Sequence, residues 1–119
     1  VCYSRHNNRC KINYMKYLIT ESQLDKTIFK YLDVKELYIL NRSRSVKFYS
    51  SRKSIDDGEY SLITYDKDAG ECFISSELAS VICSIFSLHP DNALSIISDW
   101  VENKLYVTVK YYTSDFGAD

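Results

Sequence analysis

Hydrophobic spacing changes period three times along this chain of 119 residues, and a chain that alternates between two periods has to build both helices and strands. Leu24, Ile28, Tyr31 and Leu32 recur at i, i+4, i+7 and i+8, a single helical face. Thr20 and Gln23 make the T-x-x-Q box that caps such a face, which predicts a helix over residues 21–33. Two short apolar runs follow, residues 37–40 and 46–49, separated by the polar N-R-S-R-S. They predict two strands, and the polar stretch through Asp56, Asp57 and Gly58 predicts a loop. Tyr60, Leu62 and Thr64 then alternate with Ser61, Ile63 and Tyr65, and the D-K-D-A-G turn leads into Cys72, Phe73 and Ile74, the profile of a β-hairpin.

Helical spacing returns with Leu78, Ile82, Ile85 and Phe86, joined by Val81 and Leu88 and capped by Ser75 or Ser76. His89-Pro90-Asp91 interrupts it, because proline cannot donate inside a helix and His89 beside it suits a turn cap. Leu94, Ile97, Trp100 and Val101, with Ile96, make a third helix, so the two form an αα-hairpin. Finally Leu105, Val107, Val109 and Tyr111 alternate with Tyr106, Thr108, Lys110 and Tyr112 in a last strand. The order is an N-terminal helix, an antiparallel β-meander, an αα-hairpin and a C-terminal strand returning to the sheet. That is the α+β class, with helices on one face of an antiparallel sheet.

A length of 119 residues suits one domain, placed at residues 15–113, with 114–119 as a tail. Residues 1–14 show neither period and read as a disordered or non-native leader. Only three glycines and one proline exclude a low-complexity chain. Tyrosine supplies 11 residues, suited to half-exposed strand positions where the ring packs and the hydroxyl stays wet. With neither a membrane-length apolar run nor the apolar core of a signal peptide, a cytoplasmic protein without membrane partners is expected. Cys2, Cys10, Cys72 and Cys83 are accordingly expected to be free thiols.

The net charge of −1 conceals an asymmetry. Residues 1–53 carry 12 lysines and arginines against four acids, and residues 54–119 carry three against 12. Such halves can neutralise each other, pair two copies, or show a basic face to an anionic partner.

Four constellations bear on chemistry. Cys2, His6 and Cys10 resemble part of a zinc site but lack a fourth ligand and the usual pair spacing. Asp66, Asp68 and Glu77 fall at positions 1, 3 and 12 of a calcium loop, yet Gly70 stands where a ligand belongs and Glu71 where glycine belongs. A hairpin with an acidic tip is the expected reading, and neither metal nor cofactor is expected. Residues 41–54 interleave Arg42, Arg44, Lys47, Arg52 and Lys53 with Phe48 and Tyr49, a combination that can hold phosphates and stack bases of single-stranded nucleic acid. The competing reading is a solvated hairpin whose charges discourage edge pairing. Trp100 is an interface candidate, although its spacing with Leu94 and Ile97 favours the core.

The opening M-K-Y-L-I-T-E-S-Q-L from Met15, the turn into C-F-I, then I-F-S-L and D-W-V-E-N-K-L, resemble small uncharacterised proteins of marine tailed bacteriophages. The resemblance covers about residues 15–111 and implies an origin, with the cytoplasm of an infected host cell as location. It implies no activity, and its motifs are structural. It also bears on residues 1–14: if Met15 is the natural start, they are translated upstream sequence.

With no nucleophile elbow, no H-E-x-x-H and no glycine-rich phosphate loop in the sequence, the expected function is a non-enzymatic module that binds a protein partner or itself. The alternative is a single-stranded nucleic-acid binder using the basic and aromatic segment 41–54. A metal-dependent hydrolase built on Asp66, Asp68 and Glu71 is a third.

Overall fold

The computed structural model describes residues 21–115. The leader, the capping Thr20 and the three residues of the zinc reading lie outside the described residues. Helix α1 (Glu21–Val34) follows the expected stripe, with Ile28 and Leu32 fully buried. Strands β1 (Tyr38–Asn41), β2 (Ser45–Tyr49), β3 (Ile63–Asp66) and β4 (Glu71–Ile74) form the expected antiparallel meander in chain order. Helices α3 (Ser76–Phe86) and α4 (Pro90–Leu105) follow, and β5 (Tyr111–Ser114) returns beside β4. The class is α+β, with an N-terminal helix and a C-terminal strand joining a five-stranded sheet.

Several features differ from the sequence reading. The last pairing is parallel, so the sheet is mixed and not wholly antiparallel. Two helices intervene between β4 and β5, and such a crossover brings the chain back to the end from which β4 started. The alternation from residue 105 is real but begins too early as a strand. Leu105 ends α4, Tyr106 closes it at φ 57°, and the Val109 N–H donates to the Glu102 carboxylate at 2.7 Å. Val107 and Val109 then pack against the core before ladder pairing starts at Tyr111. A third difference is α2 (Arg52–Asp56), a short helix within a stretch expected to be loop. Ser51 caps it, and the hydroxyls of Ser50 and Ser51 lie 2.6 and 3.3 Å from that of buried Ser54.

The ladder registers sort the sheet into two faces. Phe48, Ile63 and Ile74 are aligned across β2, β3 and β4, as are Val46, Tyr65 and Cys72, and all six are buried. These rows form one core with Ile28 and Leu32 of α1, Leu78 and Ile82 of α3, and Ile97, Trp100 and Val101 of α4. The buried stripe of α3 is narrower than its sequence suggests, since Val81 and Ile85 are exposed, Ile85 at 52%. Pro90 opens α4 as expected, with His89 as N-cap accepting the Asp91 N–H at its Nδ1. The α3 and α4 axes bend by 108° there, and no single described helix is long and apolar enough to cross a membrane.

Candidate interaction groove

On the opposite sheet face, Lys47, Thr64 and Phe73 are register partners across β2, β3 and β4. Alternation forces this: once Phe48, Ile63, Cys72 and Ile74 point to the core, their neighbours in sequence point away from it. These three side chains floor a groove of about 1170 Å³. Leu62 and Tyr49 extend the floor, and the loop through Gly58, Glu59, Tyr60 and Ser61 forms one wall. Glu77, Leu78 and Val81 of α3 form another, with Lys35 and Asp115 also lining the space.

Local chemistry fixes the walls. Past α2, the Asp57 and Glu59 N–H groups donate to the carbonyls of Lys53 and Ser54, and Gly58 takes a positive φ of 78° that a side chain would resist. The turn leaves Tyr60 96% exposed at the rim. The Ser61 and Thr64 hydroxyls, 2.6 Å apart, tie the loop to β3. On the other side the Asp115 carboxylate accepts the Ser76 N–H at 2.7 Å, and Ser75 Oγ accepts that of Glu77 at 3.1 Å. The first donors of α3 are thus already bonded by the chain itself.

The groove combines apolar surface with opposite charges. Phe73 is 38% exposed, and Val81 equally so. Lys47 and Lys35 line it together with Glu59, Glu77 and Asp115. Lys35 lies 5.1 Å from the Tyr31 ring. Lys47 has neither an ion pair nor a hydrogen-bond partner for its ammonium among the described residues, and the same holds for the Glu77 carboxylate.

The seven residues of the nucleic-acid reading do not gather into one surface. Arg42 and Arg44 are exposed at the β1–β2 turn, while Arg52 and Lys53 sit on α2 beyond the other end of β2. Only Lys47 and Tyr49 reach the groove. Phe48 is fully buried and packs 5.4 Å from Trp100, so it offers no ring face for stacking, and Tyr49 is buried as well. The strand period explains it, since Phe48 belongs to the core row. Trp100, the interface candidate, sits in the core: it is 3% exposed, and its Nε1 donates to Asp33 at 2.9 Å.

The acids of the hydrolase reading are engaged locally. Asp66 Oδ1 accepts the N–H groups of Asp68 and Ala69 as a turn cap, and Glu71 accepts the Thr113 hydroxyl. Among the described residues no group of three or more histidines, cysteines or acids could hold a metal ion. Cys72 and Cys83 are free thiols, and burial pushes the Cys72 thiol up to about 12.

Lys47 and Tyr49 were named by the sequence reading for another ligand, and Phe73 was the further groove residue it came nearest to disclosing. An unbroken apolar run Cys72-Phe73-Ile74 on a strand puts an apolar side chain on each face, which signals that both faces carry apolar surface. Glu59, Glu77 and Asp115 carried no such signal, because only the fold brings them together. No protein-family model, curated protein or solved structure matches the chain.

Proposed function

We propose that this protein is a non-enzymatic interaction module that binds an extended segment of another polypeptide in the groove on the open face of its sheet. The observation that carries the reading is the groove itself, a concavity with exposed Phe73 and Val81 and lining charges of both signs. The lining mixes apolar side chains with a larger polar share, a composition closer to the polar, hydrated interface of a polypeptide than to an apolar small-molecule pocket.

The test is selection of a displayed library of random dodecapeptides on the whole protein, with a Phe73→Asp variant as the control. Peptides that bind the wild type and lose most of their affinity for Phe73→Asp support the reading. Failure to enrich any peptide, or equal binding to both proteins, overturns it. Self-association would instead appear as a concentration-dependent mass by light scattering that Phe73→Asp abolishes. A nucleic-acid ligand is the weaker reading, because the burial of Phe48 leaves the exposed arginines and lysines without that stacking ring.

A further inference from the structure

Lys47 stands on β2, Phe73 on β4, and Asp115 directly follows β5, so the groove crosses the strands instead of following one. Strand order makes β2 and β5 three spacings apart, roughly 14 Å at the usual separation. Its lining is therefore polar along its length. The Lys47 ammonium, without a partner among the described residues, marks the β2 side, and the carboxylates of Glu77 and Asp115 mark the side where β5 and α3 meet. Phe73 of β4 and Leu62, just before β3, supply apolar surface between them. Lys35 and Glu59 add one charge of each sign to the walls.

From this arrangement we infer that the partner segment is itself dipolar: an extended peptide with an acidic side chain for Lys47, a basic side chain for Glu77 and Asp115, and between them an apolar side chain over Phe73 and Leu62. Extended chain advances about 3.3 Å per residue, so the acid and the base stand roughly four residues apart. Charge complementarity selects this occupant. A wholly acidic segment would meet Glu77 and Asp115 with like charge, and a wholly basic one would meet Lys47. A second copy of the groove is excluded by shape, since two concave surfaces do not fill each other. The inference rests on the reading of the groove as a peptide site and adds the chemistry of what enters it.

The test uses the whole protein and four end-blocked pentapeptides with a central leucine, whose two ends are four residues apart and share one face of the extended chain with that leucine. Two carry glutamate at one end and lysine at the other, in the two possible orders; a third carries glutamate at both ends and a fourth lysine at both. Affinities are measured by NMR titration at low and moderate salt. At least one mixed peptide is expected to bind the wild type best. Lys47→Glu should transfer the preference to the double-lysine peptide, and Glu77→Lys to the double-glutamate peptide. Each change should be roughly twofold to fivefold, the size expected of partly exposed ion pairs, and should shrink as salt is added. Both positions are on the surface, and the amide spectra report directly whether either variant is unfolded. Lys47→Met and Glu77→Gln provide milder versions in which the wild-type preference should simply flatten. If all four peptides bind wild type and variants alike yet lose binding to Phe73→Asp, the dipolar inference fails while the peptide groove stands. If no peptide binds, or binding survives Phe73→Asp, both fail.

Discussion

Two aspartates show how the same side chain acquires opposite roles from its neighbours. Asp33, at the end of α1, accepts the Trp100 indole N–H at 2.9 Å and the Lys104 ammonium at 3.0 Å. The Trp100 bond first, then Lys104, hold its carboxyl below the ordinary carboxylate range. A depressed carboxylate contributes stability above its unfolded pKa and loses it as pH falls through the folded one. The melting temperature of the wild type should therefore drop more steeply below about pH 4 than that of Asp33→Asn. Equal slopes in thermal melts across that range would refute the assignment. Asp99 has the reverse sign, because burial and then the negative charges of Glu102 and Asp25 raise its pKa. Its ionised form is the disfavoured one in the fold, so that penalty is present at neutral pH and absent below the unfolded pKa. Asp99→Asn should raise the melting temperature at pH 7 and leave it nearly unchanged near pH 3. At Phe48 and Phe73 the contrast is one of face. Phe48→Ala removes a fully buried ring and should cost about 3–5 kcal/mol in urea unfolding, whereas Phe73→Asp on the open face should cost about 1 kcal/mol or less.

Elements differ in how openly the sequence displayed them, and the difference has physical causes. Helix α1 was legible because Leu24, Ile28 and Leu32 mark one face and all three join the core or pack against it. The α3–α4 break was legible because Pro90 removes a donor and its fixed φ suits the first position of a new helix. Helix α2 was hidden, since Arg52, Lys53, Asp56 and Asp57 form no apolar stripe and the helix depends on serine hydroxyls that read equally well as loop. The direction of β5 was hidden too: alternation gives a strand its faces but not its neighbour or its sense. One aspartate makes that strand matter to its surroundings. Asp115, immediately after β5, accepts the Ser76 N–H at the start of α3. Asp115→Ala should therefore destabilise the protein by about 1 kcal/mol in urea unfolding, and Asp115→Asn, which keeps an acceptor, by less. Equal, negligible losses would mean that water replaces the bond.

At the scale of the molecule, the opposed charges of the two halves of the chain are resolved by strand order. Strands β1 and β2 come from the basic half and β3, β4 and β5 from the acidic half, and β2 pairs with β3 along four register partners. The boundary in charge is thus not a boundary in structure. This is why a linear reading of residues 41–54 as one basic surface failed to locate the groove: the strand sends Phe48 to the core and Lys47 to the open face, and the β1–β2 turn carries Arg42 and Arg44 away from Arg52 and Lys53. The same pairing predicts how the protein unfolds. Phe48 from the basic half packs 5.4 Å from Trp100 of the acidic half, and Ile28 and Leu32 share one buried cluster with Ile63, Ile74, Ile97 and Val101. Neither half can retain its core without the other, so loss of structure should be all-or-none. Trp100 fluorescence reports the helix–sheet interface, far-UV circular dichroism reports the secondary structure, and the two urea curves should coincide in midpoint and slope. A biphasic transition, or a fluorescence midpoint clearly below that of the dichroism, would mean that α4 leaves the sheet before the sheet unfolds. That outcome would contradict a single core spanning the two halves.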